Sequence, residues 1–302
     1  MSNYNSVKFN KVTIIGTGLL GGSLARDLRA HGLAAEIVGV CRSKATAELA
    51  LSSGVVDKVE EAEAACRNAD LIVLATPMQA MLPALHQIEP FVGTDTILTD
   101  VGSVKTDLYS EIKEHAPGLL NRFVLAHPIA GGETSGVAAS KLGLFDAKHV
   151  IITDTDEVAS SLSGVVAQMW QALGARVLHM SLHEHDAIFA KTSHLPHVIA
   201  FSLVNFLNNE PDRERLFDLA AAGFYDFTRI ASSDAEMWRD ICITNKQQVL
   251  KALDGFRDQV DRIRDDVANA DQSAILDYFS NAKTARDEGL LKKAEMRATH
   301  SD

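Results

Sequence analysis

The chain has 302 residues, enough for two domains that each bury a core, and 46% hydrophobic with 23% charged residues excludes disordered and fibrous classes. Its 29 Lys and Arg against 40 Asp and Glu give a net charge of −11, which repels phosphate backbones and argues against nucleic acid as a partner. No apolar run approaches the ~20 residues of a bilayer span, and residues 1–10 lack the apolar core of a signal peptide; no membrane partner is expected, and the expected location is the cytoplasm.

Residues 12–15, 37–40, 71–75, 96–99, 123–126, 149–152 and 176–180 read as strands. Each is short and mostly β-branched or aliphatic, as strands buried on both faces of a parallel sheet are. Helical segments such as 20–30 and 159–173 lie between them, and the alternation predicts a doubly wound α/β domain over 1–181. From about His183 the pattern changes, and 182–302 reads as all helical, with turns at 208–211 and 232–234. Val249, Leu253, Phe256, Val260, Ile263 and Val267 recur every three or four residues, one apolar helical stripe that faces either a core or a second subunit. The charged tail from Lys283 is expected to fray. Cys41, Cys66 and Cys242 are odd in number and widely spaced, which suits neither a disulfide framework nor a four-cysteine zinc site.

Gly16-Thr17-Gly18-Leu19-Leu20-Gly21 follows the first strand and opens the first helix. In that context the glycines permit a tight turn, close approach of a pyrophosphate and helix-on-strand packing, and the helix start holds the anion. The N-terminal domain is therefore expected to be of the Rossmann type. A tight turn without ligand is the plainer alternative. The acid that would bond NAD ribose hydroxyls at the end of the second strand is replaced by Cys41, followed by Arg42, Ser43 and Lys44. An arginine and a hydroxyl suit a 2′-phosphate, so NADP is expected in preference to NAD, although Arg42 could instead stack on adenine or lie in solvent. Thr76, Pro77 and Gly102 should border the dinucleotide.

Four segments carry chemistry. Asp100-Val-Gly-Ser103-Val-Lys105 joins a strand to a helix, and Ser103 could simply cap that helix. His127-Pro-Ile-Ala-Gly-Gly-Glu133-Thr-Ser-Gly136 puts a histidine at the carboxyl end of a strand, where open α/β sheets bind ligands. Ser193-His194-Leu-Pro-His197 holds two histidines one helical turn apart, and Gly223-Phe-Tyr-Asp226-Phe-Thr228-Arg229-Ile-Ala-Ser232 carries an arginine among aromatics. His183, His185, His194 and His197 could form a metal cluster, but Pro196 intervenes and no HExxH spacing occurs, so no metal is expected. His183-Glu-His-Asp186 reads more simply as the polar start of a helix.

Together these segments and the glycine motif, from about Val12 to Lys251, resemble the prephenate/arogenate dehydrogenase family of tyrosine biosynthesis. The resemblance implies oxidative decarboxylation of a cyclohexadienyl acid. A ring hydroxyl gives its proton to a histidine, hydride passes to nicotinamide, and carbon dioxide leaves as the ring becomes aromatic. It also implies that His127 is the catalytic histidine, Ser103 the serine on the ring hydroxyl, His197 the second active-site histidine and His194 its structural neighbour. Arg229 would bind a substrate carboxylate, with Asp226 in the associated ionic cluster, and Trp238 would reach a neighbouring subunit's site in a homodimer. Gly132 stands where some members carry threonine. Neither a trailing regulatory domain nor a leading chorismate mutase segment is expected. Independently of the family, loss of a hydroxyl proton with hydride departure suits an imidazole titrating near neutrality. Another β-hydroxyacid or imine reductase with a helical second domain, and a dinucleotide sensor that does not react, are the alternatives.

Overall fold

Short aliphatic segments separated by helices can bury both faces only as interior strands, and that is how the chain is built. The computed structural model describes residues 7–132 and 134–298. Among them, β1 (Phe9–Ile15), β2 (Ala34–Val40), β3 (Lys58–Val59), β4 (Leu71–Leu74), β5 (Ile97–Asp100), β6 (Phe123–Pro128), β7 (His149–Thr153) and β8 (Arg176–Met180) form one sheet in the order β3-β2-β1-β4-β5-β6-β7-β8. The pleat divides the core. Leu71 and Val73 of β4 pack with Leu24 and Leu28 of the helix Leu19–Ala30 and with Trp170 of the helix Ser160–Ala172. Ile72 and Leu74 pack on the other face with Met81 and Leu85 of the helix Met78–Ile88 and with Leu108 and Ile112 of the helix Thr106–His115.

The helices after β1 and β4 therefore leave toward opposite faces. The crevice between the carboxyl ends of these neighbouring strands is the switch point at which doubly wound sheets bind ligands. Two features depart from the sequence reading. β3 is a two-residue strand whose burial is too slight to mark it in the sequence. The sheet is also not parallel throughout: β7 runs antiparallel to β6, with His127 opposite Ile151, and β8 runs parallel to β7. As the sheet's edge strand, β8 is only partly covered, and Leu178 is 45% exposed.

After β8 the chain is helical. The segments Leu182–Phe189 and Leu195–Asn208 join through a π-helical turn, Ala190–His194, into one continuous helix. Its 27 residues, with mean hydropathy 1.2 in the most apolar stretch, are long and apolar enough to cross a membrane, and 17% of that stretch is buried. The sequence reading missed this length because His183–Asp186 and the later histidines interrupt the apolar run without interrupting the helix. Contacts divide the chain into two compact units, Met1–Val249 and Leu250–Asp302. Within the second, Phe256, Val260 and Val267 of the stripe are 38%, 44% and 61% exposed, so the stripe does not face a core there. Where fraying was expected from Lys283, the helix Gln272–Ala298 continues; residues 299–302 and Glu133 lie outside the described residues.

Candidate active site

At the nucleotide end, Gly16 takes φ +96°, a left-handed conformation that favours glycine. A Cβ on Gly21 would overlap the Gly16 carbonyl oxygen and sit 2.8 Å from Ala75 Cβ, so the third glycine is required by helix–strand contact. A Cβ at Gly18, by contrast, would meet nothing within 4 Å. Thr17, buried, leads into Leu19 and Leu20, the first two residues of a helix whose N-cap, Gly18, supplies no side-chain bond. Its first N–H groups therefore face open space, a ready anion site. Across the crevice, Thr76 Oγ1 is buried without a partner among the described residues, Pro77 caps the next helix, and Gly102 donates to Asp100 Oδ2 at 2.8 Å. An uncapped helix start, open space at Gly18 and an orphaned hydroxyl fit a dinucleotide.

Beyond β2, Thr17 Oγ1 and Cys41 Sγ lie 3.1 Å apart. Arg42 is exposed and makes no hydrogen bond or ion pair among the described residues. Ser43 is already employed: its Oγ accepts from Thr46 N at 3.2 Å and caps the helix Lys44–Ser52.

The chemistry gathers where β5 and β6 end. Asp100 and Lys105 form a fully buried ion pair. Lys105 Nζ also donates to Ala126 O at 2.8 Å, while Asp100 Oδ1 accepts from Ala126 N at 3.0 Å, so the pair clamps the strand just before His127. Half-buried His127 bonds through Nδ1 to His185 Nε2 at 2.8 Å, and His185 Nδ1 bonds to Asp186 Oδ1 at 2.8 Å. Burial first, then the charges of His185, Lys105 and His194, hold His127 well below the ordinary histidine value. The shift is away from the near-neutral titration that the sequence reading expects of this histidine. Ser103 is half-buried and does not cap the helix Thr106–His115; Asp186 does so instead, accepting from Lys105 N at 3.0 Å and Thr106 N at 2.9 Å.

His194 is buried, and Asn245 Nδ2 approaches both its Nδ1, at 3.2 Å, and Asp186 O, at 3.0 Å. Burial pushes His194 down to about 4. His197 Nδ1 donates to Ser193 O at 2.9 Å, leaving Nε2 as an acceptor, and its ring stacks on Trp238 at 3.6 Å. Trp238 is thus 9% exposed in the single chain, with Nε1 unpartnered among the described residues. Asp226 is exposed and forms no ion pair among the described residues. Arg229 lines a separate cleft of about 220 Å³ with Phe217, Phe224 and Tyr225. Val204 of the same cleft lies seven residues beyond His197, about 10 Å along the helix. A larger cleft of about 430 Å³ at Ile129, Gly131, Lys141 and Lys148 includes none of these groups, so size alone does not locate the site.

The sequence reading singled out His127, Ser103, His194 and His197, took His185 and Asp186 only as part of the polar start of a helix, and passed over Asn245. The His183–Asp186 polarity was the available signal. A switch-point crevice built for a dinucleotide, with a histidine at the end of β6 on the same sheet, defines a nicotinamide-dependent dehydrogenase. Residues 24–179 match the family described as prephenate dehydrogenase, nucleotide-binding domain, and residues 181–281 match prephenate dehydrogenase, dimerization domain. The chain belongs to the prephenate dehydrogenase family. It is 33% identical to prephenate dehydrogenase of Bacillus subtilis over 91% of this chain and 75% of that one. It is 31% identical to cyclohexadienyl dehydrogenase of Zymomonas mobilis over 92% and 95%. The crystal structure of the Aquifex aeolicus prephenate dehydrogenase in complex with hydroxyphenyl propionate and NAD+ superposes with a TM-score of 0.88 at 33% identity, covering 94% of this chain and 99% of that one.

Proposed function

We propose that the protein oxidatively decarboxylates prephenate, arogenate or both on the route to tyrosine. The observation that carries this reading is the His127 imidazole, backed by a hydrogen-bonded partner at the end of β6, three strands along the same sheet from β1, which precedes the helix start that receives the dinucleotide. The nicotinamide ring, when bound, accepts hydride from the substrate's carbinol carbon. Ser103 orients the ring hydroxyl, His127 Nε2 takes its proton, and the electron pair left behind becomes the carbonyl whose conjugation expels carbon dioxide. His197 Nε2 and Trp238 border the ring, His194 supports His197, and Arg229 holds the carboxylate that stays, with Asp226 nearby in sequence. Holding the departing carboxylate in its charged form would oppose the reaction.

NADP is favoured over NAD because Cys41 and Arg42 replace the expected acid. Function divides at 181/182, with the dinucleotide on the first part and the substrate and dimer contacts on the second. The exposed stripe, in a region matching a dimerization domain, supports a homodimer. Three free cysteines fit the reducing cytoplasm.

Steady-state rates with prephenate and arogenate, each with NAD and NADP, test the reading directly. His127→Asn should keep cofactor affinity and lose turnover by roughly 10²- to 10⁴-fold. Because protonation removes the base, kcat/KM should fall as pH falls, with the acid limb below the ordinary histidine value of 6.5. Turnover surviving in His127→Asn would transfer the role to another group.

A further inference from the structure

Behind His127 lies a chain of hydrogen bonds whose direction is set at its far end. Asp186 can only accept while ionised, so the proton on the 2.8 Å bond belongs to His185 Nδ1. Neutral His185 then has a bare Nε2, which can only accept, so His127 Nδ1 must donate across the next 2.8 Å. His127 Nε2 is left with its lone pair free.

Asp186 is held in that state. Burial pushes its carboxyl up, but the hydrogen bonds from His185 and Thr106 and from the backbone of Lys105 prevail and leave it below the ordinary carboxylate range. Its two oxygens meet the N–H groups that open the ten-residue helix Thr106–His115, where partial positive charge favours an anion. Phe189 packs edge-on against His127 at 4.9 Å and at a tilt against His185 at 4.7 Å. A histidine buried only for packing has no need of a particular bond at each nitrogen; His185 has both committed.

We propose that His185 and Asp186 are positioning residues that lock His127 in the tautomer whose Nε2 is the base. This rests on the reading of His127 as the base. Without an acceptor at Nδ1 nothing selects between the two imidazole tautomers, and one of them presents an N–H to the substrate hydroxyl. When the lock holds, the hydroxyl O–H bond breaks and a bond forms between its proton and Nε2. The oxygen's electron pair becomes the carbonyl bond as the hydride leaves for the cofactor. His127 keeps its Nδ1–H on His185 throughout, and Asp186 supplies the nearby negative charge among His185, His194 and Lys105.

The test combines ¹⁵N NMR of histidine-labelled full-length protein with kinetics. In the wild type His127 should carry its proton on Nδ1; a proton found on Nε2 overturns the proposal. His185→Leu removes the acceptor, and kcat should fall by about 10²- to 10⁴-fold, the scale of a wrong-tautomer histidine in a catalytic triad, with cofactor affinity unchanged. His185→Gln can accept from His127 through its carbonyl and donate to Asp186 through its amide, so the Nδ1 proton should return and kcat should recover to within about tenfold of wild type. Equal losses in Leu and Gln, or full activity in Leu, would overturn it. In a His127→Asn background His185→Leu should cost nothing further, and an additional loss of the same size would mean that His185 acts elsewhere. An active His127→Asn would instead sink the base assignment, while the NMR result still reports the tautomer.

Discussion

At the scale of single residues, the proposed preference for NADP rests on one arginine. Ser43 Oγ is occupied in capping the next helix, so on that proposal recognition of a 2′-phosphate would fall chiefly to Arg42, whose guanidinium has no ion pair to give up among the described residues. Arg42→Ala should raise the Michaelis constant for NADP by the equivalent of ~1.5–3 kcal/mol, the worth of a charged hydrogen bond, and leave that for NAD unchanged. Equal effects on both cofactors, measured at saturating substrate, would exclude the role. The glycines were legible because Gly16 needs a positive φ and Gly21 has no room for a side chain, constraints that leave little choice of residue. Ser43 was not: a serine before a helix looks the same in sequence whether it caps that helix or waits for a ligand.

At the scale of elements, the clamp between β5 and β6 calls for a stability test because it holds the strand just before His127. Burial pulls the Lys105 ammonium below its ordinary value while Asp100 opposes that shift. Removing one member strands the other without water or partner, so Lys105→Met should destabilise the fold by about 3–5 kcal/mol, read from urea unfolding midpoints. A midpoint within error of wild type would mean that Asp100 needs only its backbone donors, Gly102 and Ala126. The long helix shows why part of the site escaped the sequence. At 100° per residue, His185 and His197 stand about 120° apart on a regular helix. The π-helical turn at Ala190–His194 takes up one extra residue, which reduces that separation to about 20°. Helical periodicity could pair His194 with His197, but it could not bring His185 round to join them. The reversal of β7 was equally hidden, since an aliphatic strand carries no mark of its direction.

At the scale of the whole molecule, two apolar surfaces lack cover in a single chain: the helix Leu182–Asn208, with 17% of its most apolar stretch buried, and the stripe at Phe256, Val260 and Val267. Burying a side chain of this size contributes roughly 1.5–3 kcal/mol. A homodimer should therefore be seen by light scattering at micromolar concentration, and Val260→Asp should weaken it; monomeric wild-type protein with full activity would exclude the assembly. Sheet order also has a temporal side. The nucleotide crevice uses β1 and β4, which pair directly, and the segments that follow each of them. His127 meets His185 only across 58 residues of chain, after β7 has paired in reverse with β6 and β8 has added beside it. Synthesis is vectorial, so the residues of β1 and β4 leave the ribosome before residue 185 does. A chain emerging from the ribosome therefore has the means to grip its cofactor before His127 has met His185, and the proposed chemistry would wait until the last strands have docked.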